Sequence, residues 1–195
     1  MSEALFPGWR PDADGLGRLA AIADAIAAAR PAHAARLQRR RPDQWHATLC
    51  FLGYGLRHLA TPALLDAFAN ASTRIPPHVF TIERVTYWRQ SGAVVALPHP
   101  CAALQALCDA TRDAARACGI RPSQVTTQPH VTLAYLERGL DAQAWLDAVD
   151  CAGAPLRVDR FELLFNPGGR YETLGEWALR GTALPPPAPS QPGLF

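Results

Sequence analysis

The chain contains no lysine; all 19 of its strongly basic side chains are arginine. That excludes each chemistry built on an ε-amine: a lysyl-adenylate intermediate, a Schiff base, or the lysine of a Walker phosphate loop. Cysteine is sparse and unpatterned. Cys50, Cys101, Cys108, Cys118 and Cys151 form an odd set with no CxxC pair and no zinc-ligand spacing, and they read as small core residues of a protein kept in a reducing, cytoplasmic compartment. No apolar run reaches the length of a bilayer span, and Met1-Ser2-Glu3-Ala4 lacks the basic and apolar segments of a secretory signal. A formal charge of +2 gives no global signature of polyanion binding.

What is present suits one domain. At 195 residues the chain can bury a sizeable core. We expect residues 1–181 to form it as two lobes, with 182–195 a disordered Pro-rich tail. A short strand at Ala4-Leu5-Phe6 is ended by Pro7-Gly8. Asp14 caps a helix closed by Arg30-Pro31, with Leu16, Leu19, Ile22 and Ile26 on its apolar stripe. Residues 35–40 read as a strand that turns at Arg41-Pro42-Asp43-Gln44 into the next strand as a hairpin. Thr61-Pro62 starts a second helix running to about Arg74. Residues 79–88 and 93–97 form a hairpin, Pro100 opens a long helix ended by Gly119, and Asp141 caps a short helix through Val149. Residues 156–165 and 171–180 form a last hairpin around Asn166-Pro167-Gly168-Gly169-Arg170. Tight turns between neighbouring strands imply antiparallel pairing. The expected class is therefore α+β: two pseudo-symmetric lobes of mostly antiparallel sheet, helices outside, and a central cleft.

One pattern occurs twice. Residues 46–52 read His-Ala-Thr-Leu-Cys-Phe-Leu, and residues 130–136 read His-Val-Thr-Leu-Ala-Tyr-Leu. Both are rich in strand formers and bounded by turn residues. Side chains alternate along a strand, so each copy presents its His and Thr on one face and its Leu and aromatic residues on the other. By the same alternation Cys50 joins His46 and Thr48, and Tyr135 faces away from His130 into the core. A lone strand histidine is ordinarily a hydrogen-bonded structural residue, the reading given to His33, His58, His78 and His99. Two copies side by side in the cleft are another matter. They supply one neutral His as base and one protonated His as acid on opposite sides of a phosphorus atom. The Thr hydroxyls can donate to its non-bridging oxygens. A metal site would need a third ligand that no HxH, HExxH or cysteine pair supplies. A serine hydrolase would need a GxSxG elbow, which is absent. Cys50 is a conceivable nucleophile, but the second copy has Ala134 in its place.

The two motifs resemble the paired HxTx signatures of the 2H phosphoesterase superfamily, and within it those of the bacterial RNA 2′,3′-cyclic phosphodiesterases, also called 2′-5′ RNA ligases. The run from Trp45 to Gly53, the Gln128-Pro129-His130 approach to the second motif, and the closing Phe161-Glu162-Leu163-Leu164 with Gly169-Arg170-Tyr171 carry the likeness over about residues 4–180. It implies an enzyme that needs no metal or cofactor and opens RNA 2′,3′-cyclic phosphate ends to 2′-phosphomonoesters. His46 would be the proton donor to the leaving O3′ and His130 the acceptor that activates water, with Thr48 and Thr132 holding the phosphate oxygens. The reverse reaction joins a cyclic phosphate to a 5′-hydroxyl without ATP, in keeping with the missing lysine. Candidate substrate contacts are Arg40, Arg41, Arg89, Arg170 and Tyr171. The family often has Arg where this chain has Tyr135, so that charge is either lost or supplied from one of these arginines. The implied partners are RNA ends or small nucleotides bearing a cyclic phosphate, and the expected state is a monomer without membrane association. Two other readings stand beside this one: a related enzyme acting on a small cyclic nucleotide or a 2′-5′ oligonucleotide, and a non-catalytic module that captures RNA ends.

Overall fold

The computed structural model describes residues 3–31, 36–151 and 153–183; His33, Ala35 and the expected tail from 184 onward lie outside them. The first half of the chain runs β1 (Ala4–Trp9), α1 (Ala13–Ala29), β2 (Gln38–Arg39), β3 (Ala47–Thr48), β4 (Gly53–Tyr54), α2 (Pro62–Ser72), β5 (His78–Trp88) and β6 (Ala93–Pro98). The second runs α3 (Ala102–Ala117), β7 (Val131–Tyr135), α4 (Gln143–Leu146), β8 (Pro155–Val158), β9 (Arg160–Asn166) and β10 (Glu172–Ala178). The described strands form one sheet in the order β10-β9-β1-β3-β7-β6-β5-β8, with β2 added beside β7 and β4 beside β1. Every pairing is antiparallel, as the tight turns predict, and the class is α+β. The middle of the sheet is the β3–β7 pair. Each of these strands follows a helix and lies against the strand that precedes that helix: β1-α1-β3 on one side, β6-α3-β7 on the other.

One face of the sheet carries the main core. Leu19, Ile22 and Ile26 of α1, Leu64 and Phe68 of α2, and Leu104 and Leu107 of α3 join Leu5, Trp9, Ala47, Val131 and Leu163 in a single buried cluster. The opposite face carries two small clusters: Ala4, Phe6 and Leu164 with Phe51 and Tyr171 against them, and Ala93, Val95 and Leu97 with Trp88 and Tyr135. That second face is the one on which the site is built.

Several boundaries differ from the sequence reading, each for a local reason. β1 does not stop at Phe6 but continues through Pro7 and Gly8 to Trp9. The Pro7 carbonyl accepts from the Leu49 amide at 3.0 Å, so its ring nitrogen also faces that side. There the neighbouring chain is interrupted between β3 and β4, and no ladder donor is lost. α1 is capped by Asp12, not Asp14; the Asp12 carboxylate accepts from the Gly15 amide at 2.8 Å. β2 makes no hairpin with β3. Residues Pro42–Gln44 form a 3₁₀ turn between them, and β2 and β3 both run antiparallel to β7, β2 against Tyr135 and Ala134 and β3 against Val131. α4 is a single turn without a side-chain cap, since Ala142 and not Asp141 stands at its N-cap; Gln143 ties it to β5, where its side-chain oxygen accepts from Thr86 Oγ1 at 2.9 Å and the Tyr87 amide at 3.0 Å. The apolar run at 156–165 is two strands. β8 pairs with β5 and β9 with β1 and β10, the change of partner falling at Asp159. Between β5 and β6, Gly92 has φ +77°, and a Cβ there would meet the Leu136 carbonyl oxygen at 2.4 Å, so this turn requires glycine.

Candidate active site

Ala47 stands opposite Val131, and both side chains are buried in the helix-covered core. In antiparallel register His46 then lies across from Thr132, and Thr48 across from His130, on the other face of the sheet. A local two-fold axis between Ala47 and Val131 relates the two motifs. Side chains directly across a strand pair stand about 5 Å apart. The imidazoles therefore take two diagonal corners of a small quadrilateral and the hydroxyls take the other two.

Both rings are held in one tautomer. His46 Nδ1 lies 2.8 Å from the Gln44 carbonyl oxygen, and His130 Nδ1 lies 3.0 Å from that of Gln128. A carbonyl can only accept, so each Nδ1 carries the hydrogen and each Nε2 is the nitrogen left to take or give a proton. Aromatic rings fix the imidazole planes. Phe6 lies 4.9 Å from His46, Tyr171 meets His46 edge-on at 5.0 Å, and Trp88 meets His130 edge-on at 4.2 Å. Burial lowers the proton affinity of both groups. His46 is pushed down to about 4, chiefly by desolvation, with the charges of Arg40, His130 and Arg10 acting in the same direction against its backbone hydrogen bond. His130 is lowered as well, by desolvation.

This has a consequence for stability. The unfolded chain takes up a proton at His46 below about pH 6.5, whereas the folded chain does so only near pH 4, so the folded state loses stability as pH falls through that window. His46→Phe, which cannot take up the proton, should flatten this part of the curve. Urea midpoints of both proteins at pH 7 and pH 4.5 check it; parallel losses in the two would show that His46 is not the group responsible.

The aromatic residue of each motif lies on the imidazole face, contrary to simple alternation. In β7, Thr132 pairs with Val95 and Ala134 with Val94, which makes Leu133 an extra residue. Leu133 and Ala134 both enter the main core, and Tyr135 returns to the His130 side beside Trp88. This is a bulge, and it resets the parity of the strand. The first copy is interrupted further: Gly8 pairs with Thr48, but Leu5 pairs with Gly53. Leu49 and Cys50 are both buried in the core, and Phe51 stacks 6.5 Å from Phe6 on the His46 side. Cys50 is thus withdrawn from His46 and Thr48. Burial pushes its thiol up to about 11, the wrong direction for a nucleophile.

The proposed contacts divide. Arg40 comes to the site: Nη2 donates to the Tyr171 hydroxyl at 2.9 Å, and the guanidinium carbon stands 5.8 Å from the centre of the Tyr135 ring. Tyr171 links this group to His46. Arg41 and Arg170 line an open cleft of about 620 Å³ with Arg10, Pro42, Asp43 and Tyr171, where both approach Asp43, at 3.1 and 3.8 Å. Arg89 instead donates to the Gly139 carbonyl at 2.9 Å, tying the β5–β6 turn to the loop after β7. Arg10, Trp88 and Phe6 escaped the sequence reading. Their only signal is the pairing of segments distant in the chain, which a single sequence does not display. Among the described residues no three His, Cys, Asp or Glu side chains converge as a metal-ligand group, and no helix is long and apolar enough to cross a membrane.

The architecture is shared with solved structures. Escherichia coli LigT complexed with 3′-AMP aligns at a TM-score of 0.67 and 22% identity, covering 92% of this chain and 99% of that one. TT0787 of Thermus thermophilus gives 0.69 at 22%, over 92% and 100%. LigT complexed with NADP+ gives 0.61 at 25%, over 92% and 99%. Likeness at this level of identity is likeness of fold. No curated protein matches the chain at a significant level. Residues 18–170 match the family model of the 2′-5′ RNA ligase superfamily. That span includes both motifs, and on this match the chain belongs to the 2′-5′ RNA ligase superfamily of 2H phosphoesterases.

Proposed function

We propose that the chain is a metal-independent cyclic phosphodiesterase that hydrolyses RNA 2′,3′-cyclic phosphate ends to 2′-phosphomonoesters, with His46 and His130 exchanging protons across the phosphorus atom. The observation that carries this reading is the Ala47–Val131 register, which sets two imidazoles and two hydroxyls around a patch the size of a phosphate group. In this mechanism water attacks phosphorus on the His130 side and gives its proton to the free Nε2 of His130. The P–O3′ bond breaks, and His46 Nε2 delivers a proton to the leaving oxygen. Thr48 and Thr132 donate hydrogen bonds to the non-bridging oxygens as negative charge accumulates. Burial keeps His46 neutral in the free protein, so its donor role relies on the bound phosphate anion to draw a proton onto the imidazole pair. With a 5′-hydroxyl in place of water as the nucleophile, the same steps in the same direction, with P–O3′ breaking and His46 protonating O3′, form a 2′-5′ bond without ATP. The nucleotides seen on LigT, 3′-AMP and NADP+, support a nucleotide partner.

An oligoribonucleotide ending in a 2′,3′-cyclic phosphate, incubated with the protein in EDTA, should be converted to the 2′-phosphate. Product only after divalent metal is restored would overturn the mechanism. Tight retention of the cyclic end without product would replace it with the capture module. The four motif residues read a phosphate and not a base, so a parallel panel of small cyclic nucleotides and 2′-5′ oligonucleotides defines the substrate.

A further inference from the structure

Two guanidinium groups lie close enough to His46 to lower its proton affinity, those of Arg40 and Arg10, and they are not equivalent. The charge of Arg10 is answered by Glu162: Nε donates to Oε1 at 3.0 Å and Nη2 donates to Oε2, while Thr173 Oγ1 donates to the same carboxylate at 2.7 Å. Arg40 has no carboxylate partner among the described residues. Its Nη2 donates to a neutral acceptor, the Tyr171 hydroxyl, and its charge lies over the Tyr135 ring. Its Nε is buried with no hydrogen-bond partner, an arrangement that is costly for a cation unless an anion completes it.

The backbone explains how the group arrives there. Gln38 pairs with Tyr135 and Arg39 with Ala134, and the Arg40 amide donates to the Leu133 carbonyl at 2.8 Å. β2 is thereby fastened to the bulged part of β7, and Arg40 leaves it on the His46 side. Neutral groups position the guanidinium, and part of its donor fork is uncommitted.

We propose that Arg40 is the phosphate-charge clamp of this site: the Nη–H donors of its guanidinium, which unlike Nε are not closed off, bind non-bridging oxygens of the phosphate between the imidazoles, and Tyr171 sets the reach of the fork. The inference rests on the phosphodiesterase reading for the reaction it serves, but the binding it describes is measurable without turnover. When water adds to a phosphodiester monoanion and loses its proton to His130, the phosphoryl group gains one negative charge. A planar fork of fixed N–H donors is suited to that gain. β2 in this way supplies the cation that Tyr135, on β7, does not.

The test uses full-length Arg40→Gln, Arg40→Lys and the double variant Arg40→Gln/Tyr135→Arg. Arg40→Gln should lower kcat/KM on the cyclic-phosphate oligonucleotide by about 100-fold and weaken inorganic phosphate binding, read by calorimetry, by about 10-fold or more. Arg40→Lys should recover only part of this, and Tyr135→Arg should restore much of it from the adjacent strand. The His46 titration, followed by NMR, should move upward in Arg40→Gln, a change that a purely structural role would not produce. Unaltered kcat/KM and phosphate affinity in Arg40→Gln would overturn the clamp and leave the phosphodiesterase reading in place. A wild-type protein without turnover whose phosphate binding still depends on Arg40 would do the reverse.

Discussion

His130→Ala should lower kcat on an RNA 2′,3′-cyclic phosphate by about 10³-fold, within the range that a positioned general acid or base supplies, and His46→Ala should do the same. Each ring is fixed in the tautomer that presents Nε2, through Nδ1 contacts of 2.8 and 3.0 Å to the carbonyls of Gln44 and Gln128. Neither imidazole can substitute for the other, because the register holds them at opposite corners of the site. The double variant should be little worse than either single one, since an acid without its base completes no proton circuit. His99, exposed after β6, provides the control: His99→Ala should retain full activity. Single-turnover measurements read the chemical step directly. A rate within tenfold of wild type in either single variant would remove the His/His mechanism.

Glu162→Ala is expected to destabilise the fold by about 3 kcal/mol, the lower end of what breaking a buried ion pair costs. Glu162 is 3% exposed, and its carboxylate takes both donors of the Arg10 fork and the Thr173 hydroxyl. The lower end applies because the Arg10 side chain is 32% exposed and can recruit water once its partner is gone. The pair sits on the site face: Glu162 is in register with Gly8, and Gly8 with Thr48. Glu162→Gln, which keeps the shape and one acceptor, should cost about half as much. Arg10→Ala/Glu162→Ala should recover part of the loss, since no unpaired buried charge then remains. Urea midpoints of the four proteins test this; a double variant no better than Glu162→Ala would show that packing, and not charge, dominates at this position.

How far the sequence was legible depended on whether the deciding contact was local. The hairpin of β5 and β6, the α3 helix and the antiparallel class all follow from turn residues and periodicity within one segment. The pairing of the His motifs was legible because the chain states it twice. Parity beyond Thr48 and Thr132 was not. Strict alternation sends Phe51 and Tyr135 to the core and brings Cys50 to the site. The extra residue at Leu133 and the interruption between Thr48 and Gly53 reverse both assignments. A bulge has no signature in residue type here, since Leu, Cys and Ala are equally at home in a regular strand. The full length of β1 is hidden in the sequence for a similar reason. Pro7 reads as a terminator until the neighbouring strand is seen to be broken where the missing N–H would point. Arg40 was one of several arginines in the sequence, and only the β2–β7 pairing separates it from Arg89.

The local two-fold axis between Ala47 and Val131 bears on polarity. A strand of RNA has a 5′ and a 3′ sense; four residues related by a dyad have none. A phosphate turned half a revolution about that axis meets the same two imidazoles and the same two hydroxyls in the same order. On the proposed function, which nucleoside lies toward β1 and which toward β6 is therefore decided outside the motif, by groups that break the symmetry. Those are Phe6, Tyr171 and Arg40 beside His46, and Trp88 beside His130. On the proposed function, exchanging ring types between the two flanks, which also set the imidazole planes, would alter which way round a substrate is read.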